Sequence, residues 1–220
     1  MASPTASFVV PTLNEADYLP AALASIDAVD ASVDYEVVVA DGNSTDGTRG
    51  VARAHGARVV TCSENGIAVG RNEGAAAADG DYLAFVDADT TVREDYLDEM
   101  LSFVDANGLA AASSHCRVTE SYRGKAMQVV VNRVFPHLRR PVLPGFNTFV
   151  RRSAFDAVGG YPEVGNEDTA FSRRLGRDFD TAYCGDVLVE TSGRRFADQG
   201  LTGALAHYVS LDVQRVRATA

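Results

Sequence analysis

Short apolar runs alternate with segments of helical periodicity through the first half of the chain. Ser7–Val10 predicts a strand ending at Pro11, and Glu36–Ala40 (EVVVA), Arg58–Thr61 and Tyr82–Val86 (YLAFV) predict three more. Between them, Leu19, Leu23 and Ile26 share one face of a helix over Tyr18–Ile26. A second helix runs to about His55, and Ala68–Ala78 predicts a third built from small residues. A helix over Asp95–Ala106 and a strand near Leu109–Ser114 continue the series. Strands and helices alternating at these intervals predict βαβ units around a mostly parallel sheet, an α/β fold. Beyond about residue 115 the alternation fails, leaving a basic helix, a Pro/Gly loop at 141–145 and shorter elements.

Composition adds bounds. The 220 residues are 46% hydrophobic with a mean hydropathy of -0.07, enough for one large core. No run approaches the roughly 18 apolar residues of a membrane span, and the start lacks a basic-then-apolar leader. Cys62, Cys116 and Cys184 lie far apart without a CxxC pair, which argues against a disulfide scaffold or a thiolate zinc site. A cytoplasmic protein, soluble or peripheral at the inner face of the membrane, is the expectation.

Charge changes the picture further. The net charge is -10, with 20 Asp and 10 Glu against 19 Arg and the single Lys125. Such lysine depletion resembles a halophile's salt-adapted surface, although a GC-rich genome also favours arginine. Residues 1–110 hold 19 acids and 5 bases, whereas residues 111–220 hold 11 acids and 15 bases. A nucleic-acid binder would carry a basic footprint across the fold, so that class is set aside. The basic half remains suited to an anionic acceptor or a membrane surface.

In open α/β sheets, ligands lie beyond the carboxyl ends of the strands. There the chain reads PTLNE (11–15), DGNSTDGT (41–48) and VDADT (86–90), presenting Glu15, Asp41, Asp87 and Asp89. Clustered carboxylates repel unless a divalent cation or hydrogen-bond donors compensate them. Asp87 and Asp89 are alternate residues, so both are expected to address one pocket, a hard-oxygen set for Mg²⁺ or Mn²⁺. Alone, D-x-D arises by chance in an acidic chain; its place after a core strand, beside two other acid-bearing ends, gives it weight. Turn chemistry accounts for much of DGNSTDGT, with Asp46 or Ser44 capping the next helix. Asp41, at the strand exit, is less well explained that way and suits a nucleobase N–H.

The ordered set PTLNE, DGNSTDGT, GRNEG (70–74), DADT (87–90) and GGYPEVGNEDTAFSRRL (159–175) resembles the family 2 glycosyltransferases of the GT-A fold. The likeness spans about residues 7–195. It implies a Rossmann-like sheet flanked by helices in one domain, with residues 1–112 as the nucleotide-sugar-binding half and 113–220 as a smaller mixed acceptor half. It further implies that Pro11, Thr12, Asn14, Glu15 and Asp41 bind the nucleoside and that Arg71 reaches the nucleotide. Asp87 and Asp89 resemble the DXD motif, contacting ribose or sugar and metal. Glu167-Asp168 resembles the ED pair, whose second member is the catalytic base of inverting members.

Asn166-Glu167-Asp168 follows a Gly-Gly-Tyr-Pro turn signal and opens a helix. Acids there commonly cap and complement the dipole, which leaves one of the two free to face the sheet mouth. An acceptor hydroxyl needs a base to become nucleophilic, so Asp168 is assigned that role and Glu167 the orientation of the acceptor. Thr191–Arg195 (TSGRR) follows an apolar run, placing Arg194 to return a guanidinium to the donor phosphates. Arg151 and Arg152 read as solvated charges, and His55, His115, His137 and His207 show no metal spacing. In 122–140, Val130, Val134 and Leu138 align with Met127 and Val131. A core-packed helix with a wet face is favoured over an interfacial helix on anionic lipid, with Pro136 kinking or ending it.

The expected function is therefore an inverting transfer from a UDP- or GDP-sugar to a hydroxyl of a glycan or lipid-linked saccharide, with a divalent cation. A polyprenyl-phosphate acceptor is the alternative. It is already ionised and requires no base, so the Glu167-Asp168 pair tilts the reading toward a hydroxyl. A nucleotidyltransferase would open with a glycine-rich basic loop, unlike Val10–Glu15. A non-catalytic nucleotide-sugar-binding protein would not need Asp87, Asp89 and Asp168 intact. No GxGxxG follows a strand, and Gly42–Thr48 lacks the P-loop lysine.

Overall fold

A computed structural model describes residues 4–119 and 122–194. Strands β1 (Ala6–Thr12), β2 (Tyr35–Asp41), β3 (Arg58–Thr61) and β4 (Tyr82–Val86) run parallel in the order β3-β2-β1-β4. Every residue of β1 and β4 is buried, as apolar strands covered on both faces should be. Helices α1 (Leu19–Asp27), α2 (Thr48–Ala54) and α3 (Ile67–Ala77) make the crossovers. Each of these elements matches its sequence expectation closely. Pro11 does not end β1; it sits where pairing with β4 has already stopped at Val9, so its missing N–H costs that ladder nothing.

The described residues beyond β4 extend the same sheet rather than building a separate one. They comprise β5 (Thr90–Val92), α4 (Tyr96–Ala106), β6 (Ala111–Thr119), α5 (Tyr122–Arg133), β7 (Asn147–Arg151), α6 (Arg152–Ala157), α7 (Glu167–Asp178) and β8 (Thr181–Ser192). The eight-stranded order is β3-β2-β1-β4-β7-β6-β8-β5, with β7 antiparallel to both β4 and β6. Two features of this half escaped the periodicity. β6 runs on to Thr119, and β8 is twelve residues long. Gly185 and Asp186 look like a turn, but they bulge out where the register jumps from Ser114↔Cys184 to His115↔Val187.

Only Ala111 and Ala112 of β6 pair with β7, so the remaining edge of β6 needs other partners. Helix α5 supplies them with side chains. Asn132 accepts from the Cys116 N–H at 3.0 Å and donates to its carbonyl at 2.8 Å, and Gln128 accepts from Val118 N–H at 2.9 Å. Met127 and Val131 are buried beside these amides, as is Phe135 in the 3-10 turn Phe135–His137. Val134 leaves the expected apolar stripe and is exposed, and the α-helix ends at Arg133, before Pro136. The outward face carries Tyr122, 98% exposed, with Val129 and Arg133. No helix among the described residues is long and apolar enough to cross a membrane.

The two arginines read as solvated charges are structural. Arg152 donates to the carbonyls of Ala75, Ala78 and Gly80, closing the carboxyl end of α3. Arg151 pairs with Asp105 at 2.6 Å and covers the Tyr82 ring. Helix α3 matters because it carries Arg71.

Candidate active site

The loops after β1 and β2 are stitched together. Asn14 and Asn43 both adopt left-handed backbones, with φ of 54° and 64°, which asparagine tolerates better than most residues. The Asn14 N–H donates to Ser44 Oγ at 2.9 Å, and Asn14 Oδ1 accepts from Thr45 N–H at 2.8 Å. The Glu15 N–H donates to Thr48 Oγ1 at 2.8 Å, and Thr12 Oγ1 lies 3.5 Å from the Ala40 carbonyl. Gly47, not Asp46 or Ser44, is the N-cap of α2; Asp46 accepts from the Thr48 N–H at 2.9 Å in the turn just before it. Asp41 is partly a turn residue after all, since Oδ2 accepts from Ser44 N–H at 3.0 Å and faces Arg49 at 3.6 Å. Its other oxygen, Oδ1, is buried without a hydrogen-bond partner, an acceptor left over by the turn.

The two aspartates of DAD part company. β4 ends at Val86, and Asp87–Asp89 form a turn closed by Thr90 N–H to the Asp87 carbonyl at 3.0 Å. Strand alternation therefore does not govern them. Asp87 Oδ1 accepts from Arg71 Nη2 at 3.2 Å, whereas Asp89 Oδ2 accepts from Arg194 Nε at 3.0 Å. Arg194 also donates to Glu15 and lies 4.0 Å above the Tyr18 ring. Arg194 thus reaches the strand ends as its position after β8 suggested; Arg195 and His207 lie outside the described residues.

Arg71, 3% exposed, is the hub of the second cluster. Its Nη1 donates to Glu167 Oε1 at 2.6 Å, and its guanidinium lies 5.0 Å from the Tyr161 ring centre. Burial opposes the charge, but Asp87, Tyr161 and Glu167 outweigh it and hold the pKa above the ordinary arginine value. Glu167 is consequently committed to Arg71 rather than standing free to orient an acceptor.

Asp168 opens α7 just after Asn166, whose φ of 56° turns the chain into the helix. Its Oδ1 accepts from the Thr169 N–H at 2.6 Å. The side chain is only half-buried at its surface, yet desolvation, then Glu167, push its pKa up against the opposing pull of Arg71 and the N–H groups of Thr169 and Gly145. A carboxylate that holds its proton more tightly than usual is a better proton acceptor near neutrality.

Among the described residues, no group of three or more His, Cys, Asp or Glu side chains could hold a metal ion. Asp89 and Glu15 nevertheless bond the same guanidinium, so two hard oxygen donors stand side by side. That set fits Mg²⁺ or Mn²⁺ when phosphate oxygens and water complete the shell. Asp87 Oδ1 is engaged by Arg71.

Asn72 and Tyr161 belong to two motifs that lie far apart in the sequence and meet in the fold. Asn72 Oδ1 accepts from Tyr161 N–H, and its Nδ2 donates to the Tyr161 carbonyl, both at 2.8 Å. GRNEG and GGYP are thereby locked together. Tyr18, the aromatic floor under Arg194, carried no signal beyond lying three residues past Glu15.

A parallel sheet whose strand ends hold an aspartate pair, continued into a mixed half with an acidic pair opening a helix, is the arrangement of the GT-A fold. The model of the family described as Glycosyl transferase family 2 matches residues 7–159, and the chain belongs to that family. It is 31% identical over 196 residues to the succinoglycan biosynthesis protein ExoA of Rhizobium meliloti (strain 1021), covering 80% of this chain and 59% of that protein. The chain thus spans about three-fifths of that relative's length. Residues 1–349 of S. aureus TarS superpose with a TM-score of 0.73 at 20% identity, covering 87% of this chain and 61% of that one. The mannosyltransferase PcManGT from Pyrobaculum calidifontis, solved with GDP-Man and Mn²⁺, gives 0.69 at 24%, covering 86% and 57%. At these identities both structures speak to the fold.

Proposed function

We propose that the protein is an inverting glycosyltransferase that moves a sugar from a UDP- or GDP-sugar to a hydroxyl of a glycan or lipid-linked saccharide. The observation that carries this reading is the chain of contacts from Asp87 through Arg71 to Glu167 and its neighbour Asp168. It ties the donor-side turn to a half-buried carboxylate whose proton affinity is raised.

Asp41 Oδ1, an unpaired acceptor, receives an N–H of the nucleobase, and the stitched Asn14 and Ser44 loops fix the floor beneath it. Asp168 accepts the acceptor's proton as the hydroxyl attacks the anomeric carbon from the face opposite the diphosphate. Arg71 fixes the spacing of donor turn and base. A divalent cation held by Asp89, with Glu15 beside it, would neutralise charge on the departing diphosphate. PcManGT, solved with GDP-Man and Mn²⁺, supports a divalent cation bound together with a nucleotide sugar. A polyprenyl phosphate needs no base, so a raised Asp168 would be idle there. Lipid linkage of the saccharide is supported by the exposed Tyr122, Val129 and Arg133 of α5, which comes next in the chain after β6, whose last residue, Thr119, lines a cavity with Asp89. Peripheral contact with anionic lipid through that face is checked by vesicle flotation at low and high salt.

The central test is a panel of UDP- and GDP-sugars with Mn²⁺, offered saccharide hydroxyls or a polyprenyl phosphate, with product configuration read by NMR. Inverted product from a hydroxyl acceptor, reduced about 10²–10⁴-fold in Asp168→Asn while donor still binds, is the expected result. Retained configuration would end the single-displacement mechanism.

A further inference from the structure

The chain leading into Arg194 is anchored by three hydrogen bonds. The Ser192 N–H donates to the Asp89 carbonyl at 3.1 Å, the Gly193 N–H to the Thr119 carbonyl at 3.0 Å, and the Arg194 N–H to Ser192 Oγ at 3.3 Å. β5 and β8 pair at Thr90↔Thr191, so the residue after DAD and the residues before Arg194 belong to one ladder. The guanidinium is delivered to Asp89 by the sheet, not by a loose tail. It bonds Asp89 and Glu15 together while Tyr18 supports its face.

The exposures decide what this arrangement does. The Asp89 side chain is 2% exposed and that of Glu15 9%, whereas Arg194 is 30% exposed. The arginine is therefore the more solvent-exposed member of the cluster, and a cation bound by the same carboxylate oxygens would compete with it. Arginine cannot relieve the conflict by losing its proton. A divalent cation taken up beside the guanidinium would meet a like charge, which eases if the guanidinium finds another anion. A nucleoside diphosphate is such an anion, with oxygens for both.

We propose that Arg194 is the resident counter-ion of Asp89 and Glu15, competing with a divalent cation for these carboxylates until a diphosphate draws it off. Nucleotide and cation then bind as a pair rather than singly. This rests on the cation reading given under the proposed function, and goes beyond it by assigning the occupant of the cation-free site.

Mn²⁺ binding to the full chain, followed by calorimetry or by the resonance of free Mn²⁺, tests the idea directly. Without nucleotide, Arg194→Gln should bind Mn²⁺ roughly tenfold tighter or more than wild type, since a like charge within a few ångströms is removed. Arg194→Lys, which keeps the charge, should stay near wild type. With UDP present the order reverses for the nucleotide: Arg194→Gln binds UDP more weakly than wild type in Mn²⁺. Thermal melting controls for folding. If Gln unfolds the chain, Arg194→Met, which keeps an apolar stem over Tyr18, is read in its place. Mn²⁺ affinity in the neutral variant equal to or weaker than wild type, while UDP still tightens Mn²⁺ in both, would overturn the counter-ion and leave the cation reading standing. No Mn²⁺ bound by any variant even with UDP would overturn both.

Discussion

A methyl group at position 145 would lie 2.2 Å from Nη2 of Arg71, so Gly145 and Arg71 can meet only because position 145 has no side chain. The loop before β7 approaches the arginine with bare backbone. Arg71 has little room to retreat, since Asp87, Glu167 and Tyr161 surround it. Gly145→Ala should destabilise the protein by about 1–3 kcal/mol through overpacking and lower turnover by moving Arg71. Melting temperature and kcat measured together check this. If both stay unchanged, the loop yields and the contact is not constraining.

Asp168 sets a pH dependence with a definite sign. Its folded pKa is raised by desolvation and then by Glu167. Above the ordinary aspartate value, about 4, the folded state therefore holds more protons than the unfolded chain, and stability falls as pH rises toward the raised pKa. Below about 4 both states are protonated and the penalty vanishes. Asp168→Asn should match wild-type stability at low pH and exceed it at neutral pH, while transfer to a hydroxyl falls. Wild-type turnover should rise through the same window. Melting curves at pH 4 and pH 8 beside a pH–rate profile test both halves; a variant less stable at pH 8 would refute the sign.

The centre of the nucleotide-side sheet was legible because β1 and β4 are buried along their whole length, so YLAFV reads as an unbroken apolar run. β8 was not, because a bulge at Gly185 and Asp186 mimics a turn, and only the pairing with β6 reveals it. The acids of the site were legible by position at strand ends. Their partners were not. That Asp87 answers to Arg71 and Asp89 to Arg194 depends on side chains 16 and 105 residues away, a separation no local pattern encodes. The tie of Glu167 to Arg71 was hidden for the same reason, since it spans 96 residues.

Helix α5 offers a prediction about folding rather than chemistry. Asn132 satisfies both backbone groups of Cys116, standing in for the strand that β6 lacks there. Asn132→Leu would keep the packing volume and leave that buried N–H and carbonyl without partners. A loss of about 1–3 kcal/mol is expected for each stranded group that water cannot reach. Hydrogen exchange resolves the effect locally, with Cys116 and Val118 amides accelerating more than those of β1. Uniform acceleration across the sheet would mean that α5 acts on global stability alone.

Asp87 and Asp89 are one residue apart and should fail in different ways. Replacing Asp87 with asparagine leaves the buried Arg71 with Glu167 as its remaining ion-pair partner among the described residues. Breaking such a buried pair costs about 3–5 kcal/mol when nothing else compensates, and Glu167 should hold the loss near the lower end. Asp89→Asn touches a guanidinium that is 30% exposed and still paired with Glu15, so the stability cost should stay near about 1 kcal/mol. Nucleotide binding separates them in the opposite direction. In calorimetric titrations of UDP and GDP, Mn²⁺ should tighten binding to wild type and to Asp87→Asn but not to Asp89→Asn. The two variants thus divide one DXD motif into a structural member, read by urea denaturation, and a cation-holding member, read by calorimetry. If Mn²⁺ dependence were lost in Asp87→Asn and kept in Asp89→Asn, the two assignments would have to be exchanged.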